Sequence, residues 1–287
     1  MIKPSTFSII GYDPHANETG VVVQSKFLSV GAAVPWVAAD AGAVATQAWA
    51  NTTYGPRGLE MLRKGMPPQD VIAELIRDDE HASQRQLGIV DMQGRSATYT
   101  GDECMPWAGG KSGTNFAAQG NILAGPEVVD ALVSTFEQTR GALADRLVAA
   151  LRAGQAAGGD RRGKQSAALY IAKPKGGYSG FNDRYVDLRV DDHPEPIEEL
   201  ARILELHKLY FFKPEPQDVL KIDTALGAEI VTLLKRAKAL ASTSAAFDVA
   251  ANEALVKFMH KENLEDRVRD DGCIDRQTLG YLRGYTA

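Results

Sequence analysis

Cysteine is nearly absent from this chain. Cys104 and Cys273 are the only two among 287 residues. They lie too far apart for a metal-ligand cluster and are too few for a disulfide framework, which fits a reducing compartment. Long apolar runs are missing as well. None approaches the roughly 20 residues of a membrane span, and no apolar segment follows Lys3, so neither a membrane helix nor a signal peptide is expected. A cytoplasmic location is the default. Basic residues do not dominate: 32 Lys and Arg stand against 37 Asp and Glu, a formal net charge of −5. That balance argues against nucleic acid as a partner. No P-loop, no GxGxxG turn and no zinc spacing occurs, so no cofactor and no metal is expected. What is present is bulk: 44% hydrophobic residues, enough to core one large domain or two.

The first two thirds alternate strands with pairs of helices. TFSIIGYD, GVVVQSKF and AGAVATQAW are alternating or β-branched runs, and HANETG makes a hairpin link between the first two. RGLEMLRKG and PPQDVIAELIRDD have helical spacing, the second opening on prolines suited to a first turn. RQLGIVDMQG, RSATYTG and TNFAAQGNILAG return to strand. PEVVDALVSTFEQT and ALADRLVAALRAG form a second helix pair. SAALYIAKPKGG and RYVDLRVDDH are the last strands, and HPEPIEELARILELHKLYFF is an amphipathic helix. Short links between consecutive strands predict antiparallel sheets. Paired helices argue against one crossover helix per strand and for two sheets layered between helices. After Phe212 the character changes. KPEPQD breaks the chain, and the rest reads as short helices rich in Ala, Leu and Lys. The expected division is therefore an α+β domain at 1–212 and a small all-α domain at 213–287.

Chemistry-bearing residues are sparse. Asp160, Arg161 and Arg162 share a polar loop in GGDRRGKQ, and Asp183 and Arg184 repeat the Asp-Arg pairing in FNDRYVDL. A guanidinium fork suits a carboxylate or carbamoyl ligand. The same pairs serve equally as struts that tie two loops together. Cys104 has no base near it in sequence. DDGCIDRQTLGYL invites a calcium-loop reading but fails it, because arginines and a threonine fall at ligand positions.

TFSIIGYDP, GVVVQSKFLSVGAAVPWV, ATQAWANTTYGPRGL, FAAQGNILAG, GGDRRGKQSAALYI and NDRYVDLRVDDHPEP together resemble one bacterial family. It is catalogued as domain of unknown function "ten twenty-eight", and its members resemble the N-terminal-nucleophile (Ntn) hydrolases in fold. The resemblance runs from Thr6 to about His207. It implies a four-layer αββα sandwich, in agreement with the element order. It also directs attention to Thr6 as a nucleophile whose own α-amino group, with a pKa of about 7.7–8.0, acts as the base. Ser8 is the second choice. Lys26 on the second strand is the candidate electrostatic helper, Gln24 shares its face by alternation, and Asn121 is the candidate oxyanion donor. An amine at Thr6 requires a cut between Ser5 and Thr6. In the tail, Asp271-Gly272 followed by the Thr278-Leu279 helix start is similar to small peptidoglycan-binding domains.

Three readings stay open from sequence. The first is an Ntn-type amidohydrolase acting on a small amide or ureido compound. The second is a non-catalytic protein on the same fold that holds a small carboxylate or other anion. The third is a cell-wall-associated module that contacts peptidoglycan or another protein through the tail. A homodimer is the expected assembly.

Overall fold

The computed structural model describes residues 6–241 and 243–286. The chain divides into two compact units, with the break between Ile203 and Leu204. This break falls inside a helix, α5 (Pro196–Phe211), whereas the sequence reading places the boundary at that helix's end.

In the first unit, β1 (Thr6–Asp13), β2 (Glu18–Ser25), β3 (Pro35–Ala38), β4 (Gly42–Ala48), β5 (Arg85–Asp91), β6 (Ser96–Thr100), β7 (Gly109–Gly113), β8 (Phe116–Asn121), β9 (Ser166–Ala172) and β10 (Arg184–Val190) form two sheets. The larger has the order β10-β9-β2-β1-β8-β7 and the smaller β3-β4-β5-β6. Every pairing is antiparallel. The helices α1 (Tyr54–Arg63) and α2 (Pro68–Ile76) pack on the smaller sheet. The helices α3 (Glu127–Gln138) and α4 (Leu143–Ala156) pack on the larger. This is an α+β sandwich of two antiparallel sheets between helix pairs. Two strands escape sequence reading. PWVA is short, and GGKSG has no β-branched residue to mark it.

Alternation along β1 sorts its side chains between two cores. Ile10 and Tyr12 point into the space between the sheets, where they meet Val21, Val23, Ala43, Ala45 and Val90. Phe7, Ile9 and Gly11 face the helices. Gly11 is glycine for a reason: Phe136 and Leu143 come within 2.9 Å of where its Cβ would stand. The hairpin loop after Asp13 places Asp13 opposite Glu18 and so sets every later pair, ending with Thr6 opposite Ser25.

In the second unit, α6 (Thr224–Arg236), α7 (Val249–Lys261) and α8 (Arg276–Gly284) enclose a core of Ile230, Leu234, Phe258, Met259, Ile274 and Leu282. The helical expectation for this unit holds, with one short ladder added. VLK and CID form a short antiparallel ladder, β11 (Val219–Lys221) with β12 (Cys273–Asp275). The reason is capping. Asp223 accepts from the amide of Leu226, and Asp275 from those of Gln277 and Thr278. The helices therefore start after these residues and leave the preceding triplets extended. Arg267 is buried with Asp275 at 2.7 Å and donates to the carbonyls of Lys208 and Phe212 at 2.9 and 2.8 Å. It thereby closes the C-terminal end of α5. Among the described residues no helix is long and apolar enough to cross a membrane.

Candidate functional site

Thr6 sits between two neighbours in the larger sheet, Ser25 on β2 and Asn121 on β8. Directly opposed residues of an antiparallel ladder share a face, so all three point into the space between the sheets. Thr6 and Asn121 are each only 1% exposed and Ser25 is fully buried. Thr6 Oγ1 donates to Ser25 Oγ at 3.2 Å.

Four further polar side chains meet them there. Ser8 Oγ donates to Gln47 Oε1 at 2.6 Å and accepts from Gln119 Nε2 at 2.7 Å. Gln47 Nε2 donates to the Thr6 carbonyl at 3.3 Å and to Gln86 Oε1 at 2.9 Å. Asn121 Nδ2 donates to the same Gln86 oxygen at 2.9 Å. Gln86 Nε2 in turn reaches the Gly120 carbonyl at 2.7 Å and Thr100 Oγ1 at 3.0 Å. The cluster draws on β1, β2, β4, β5 and β8 and contains no charged side chain. A buried hydroxyl or carboxamide is costly unless bonded, and here nearly every group is held in one orientation. Ser8 is fixed as both donor and acceptor, which sets it apart from Thr6 as a reactive group.

Packing against the cluster is tight. A Cβ on Gly88 would stand 2.0 Å from Gln119 Oε1, and that oxygen is buried with no hydrogen-bond donor among the described residues. Gly88→Ala is expected to cost about 1–3 kcal/mol, read as a lowered urea midpoint. An unchanged midpoint would mean that Gln119 moves aside freely.

A small cleft lies beside the cluster, lined by Ala48, Trp49, Gln84, Glu103, Cys104, Met105, Asn121 and Ile122. Its volume is about 20 Å3, room for little more than one water. Two of these residues have left-handed backbone, Ala48 at φ 62° and Ile122 at φ 52°. For a β-branched residue this is a true outlier, and each such position costs about 1–3 kcal/mol. The surroundings enforce both. The Ile122 amide donates to the Met105 carbonyl at 3.0 Å and its carbonyl accepts from the Arg161 amide at 3.1 Å. Next to Ala48, the Trp49 amide donates to the Gln84 carbonyl at 3.3 Å, and its carbonyl accepts from Arg85 Nη1 at 2.6 Å. Arg85 is aimed by Asp79, with Nε and Nη2 bonds of 2.9 and 3.1 Å. Asp79 also accepts from Tyr54 and Asn51. Arg85's hydrogen bond holds the Asp79 carboxyl far below the usual range, against the opposing effect of burial.

The other expected site residues are placed differently. Lys26 lies one residue past the end of β2, in an exposed bend, whereas Thr6 is buried. Its Nζ donates to the Lys164 carbonyl at 3.3 Å from an exposed position. Gln24 opposes Phe7 and shares the helix-facing side, where Nε2 contacts the Gly163 carbonyl at 3.5 Å. Asp160 is buried and works as a strut. It accepts from the Lys26 amide and the Arg162 amide, each at 2.9 Å, and pairs with Arg162 Nη2 at 3.2 Å. The loop of Asp160, Arg161 and Arg162 is thereby docked against Ile122, beside Asn121. Asp183 and Arg184 are at the other end of the sheet. Arg184 opposes Ala172, which opposes Thr19, about 20 Å along the strands from the Thr6 end. Arg184 pairs there with Asp187 at 3.0 Å.

Sequence reading missed Ser25, Gln47, Gln86 and Gln119. The signal was available, since each is a polar residue inside an otherwise apolar strand run. The Ser5–Thr6 bond lies outside the described residues. Among the described residues no group of three or more His, Cys, Asp or Glu is arranged to hold a metal ion.

Comparison with known proteins agrees with this architecture. Residues 6–200 match the family model described as "Family of unknown function (DUF1028)", and residues 210–282 match one described as "Putative peptidoglycan binding domain". A crystal structure of a protein from Silicibacter pomeroyi, described with the same family of unknown function, is 30% identical. It superposes with a TM-score of 0.66 over 72% of this chain and 91% of its own. No curated protein matches the chain. With the family model spanning well over half of its length, this chain belongs to the DUF1028 family, and it carries a peptidoglycan-binding-like domain behind the family region.

Proposed function

We propose that the first unit is an Ntn-type amidohydrolase that cleaves a C–N bond of a small amide or ureido compound. The observation that carries this reading is the place of Thr6: at the head of β1, facing the inter-sheet space, inside a cluster of hydroxyls and carboxamides without a charge. Once the Ser5–Thr6 bond is cut, the Thr6 amine takes the proton from Oγ1 while Oγ1 attacks the substrate carbonyl. Asn121, oriented by Gln86, stabilises the oxyanion. The amine leaving group departs with the proton, and water hydrolyses the resulting ester. Ser25, bonded to Thr6 Oγ1 at 3.2 Å, orients the hydroxyl, and the proposed mechanism draws no electrostatic help from Lys26. The hydroxyls and carboxamides around Thr6 suit the polar C–N group of an amide or ureido compound, and Glu103 lines the cleft beside them. The cleft beside Asn121 is too small for such a substrate, so binding requires its rim to move.

Intact mass of the purified protein tests the first requirement. The expected mass lacks residues 1–5. A protein that hydrolyses amides while retaining Met1 would sink the mechanism.

For the second unit we infer contact with peptidoglycan, on the match at 210–282. Co-sedimentation of the full chain with purified cell-wall sacculi is the readout, and recovery entirely in the supernatant would count against it.

A further inference from the structure

The end of β1 farthest from Thr6 opens onto a second cleft. β1 has eight residues, so about 23 Å of extended strand separates the two ends. The cleft holds about 320 Å3, and its wall includes Tyr12, Asp13, His15, Asn115, Arg140 and Arg146. Arg146 stands in the first turn of α4. Its guanidinium carbon lies 4.2 Å from the centre of the Phe136 ring, and Nη2 donates to the Phe136 carbonyl at 3.3 Å. Its Nε–H is buried with no acceptor among the described residues. Arg140 is exposed nearby on the linker that leads into α4. Neither arginine forms an ion pair with a described residue.

Many other arginines on this unit have carboxylate partners, as in Arg63–Asp40, Arg77–Glu74 and Arg152–Glu198; Arg57 and Arg161, like Arg140 and Arg146, have no ion pair with a described residue. Here two like charges share one concavity. Burial lowers the Arg146 pKa, the Arg140 charge adds to this, and only Asp13 opposes it. Asp13 is the one acid in the wall, and its Oδ1 already accepts from the amides of His15 and Ala16 at 2.9 and 3.2 Å. Arg146 is half-buried with one buried N–H left without an acceptor, and Asp13 is the single opposite charge against two guanidinium groups, an arrangement that costs free energy. An oxyanion supplies both the missing charge and an acceptor for the planar donor fork.

We propose that this cleft binds a small oxyanion, a carboxylate or a phosphate, between Arg140 and Arg146. The proposal does not depend on any chemistry at Thr6.

Calorimetric titration of the full chain tests it, with sodium phosphate and sodium acetate in separate arms against chloride at equal ionic strength. Saturable binding is expected in at least one arm, and the arm identifies the kind of anion. Arg140→Gln and Arg146→Gln should each weaken binding about tenfold or more, the loss of one charge-assisted contact. Arg57→Gln, on the exposed face of α1, should leave it unchanged. Should Arg146→Gln fail to fold, Arg140→Gln decides, since its side chain lies at the surface. No saturation in the wild type by about 10 mM, a concentration corresponding to less than 3 kcal/mol of binding, would overturn the proposal. Binding that Arg140→Gln leaves intact would overturn it equally, and Arg146 would then be a packing residue on Phe136.

Discussion

Thr6→Ala is expected to lower amide hydrolysis by the form that begins at residue 6 by about 1,000-fold or more, the scale seen when a covalent nucleophile is removed. The fold should survive. Thr6 Oγ1 makes one neutral hydrogen bond, to Ser25, and such a bond is worth about 1 kcal/mol. Thr6→Ser keeps the hydroxyl and should retain activity. Activity that persists in Thr6→Ala would move the chemistry elsewhere. Loss in both variants, with unchanged melting, would mean that the methyl group positions the hydroxyl. Because the proposed base is the α-amino group, activity should rise with pH through roughly 8, its ordinary range. A pH profile flat from 6 to 9 would remove the amine from the mechanism. The starting material matters: a chain that keeps residues 1–5 has its Thr6 nitrogen in a peptide bond and should be inactive at every pH.

Asp79→Asn should cost about 3–5 kcal/mol at neutral pH, the effect of breaking a buried pair and leaving Arg85 uncompensated. For a domain of this size that is a fall in Tm on the order of 10 °C. The side chains of Asp79 and Arg85 are 10% and 9% exposed. Exposed pairs such as Arg77–Glu74, at 60% and 42%, are screened by solvent and contribute far less. The pH dependence follows from the direction of the Asp79 shift. Its folded pKa is depressed, chiefly by the hydrogen bond from Arg85, so its contribution is fully present above the unfolded value of about 3.9 and is lost as pH falls below it. The stability gap between wild type and Asp79→Asn should hold from pH 7 to 5 and narrow below about pH 4. A gap that is the same at pH 7 and pH 3 would show that the pair acts by packing alone. The substitution also releases the Trp49 carbonyl from Arg85, and with it the left-handed backbone at Ala48. Activity should therefore fall even below the melting range.

Much of the architecture was legible because it is local. Period-two runs such as TFSIIGYD and helical spacing in ALADRLVAALRAG each mark an element without reference to any other part of the chain. The short hairpin loop after Asp13 even carried the Thr6–Ser25 pairing, had the register been counted back from the turn. Thr6 and Asn121, expected separately, do come side by side, as partners across β1 and β8. The short ladder in the second unit was hidden, since three-residue strands are too brief for a period to show and their limits are set by the Asp223 and Asp275 caps.

The sequence by itself determined the helices, most of the strands and the hydroxyl at the head of β1, since each depends on neighbouring residues and elementary turn chemistry. Only the tertiary structure decided which polar residues meet. Gln47 and Gln86 reach Thr6 and Asn121 because the smaller sheet stacks on the larger, a contact between segments that no local period encodes. The strand limits left Lys26 in an exposed bend past β2, and the sheet register carried Asp183 and Arg184 to the far end of the sheet. It also left Arg140 and Arg146 together at the other end of β1 without a carboxylate partner. Which residues share a site depends on sheet order and face, and these are set by burial across the whole unit.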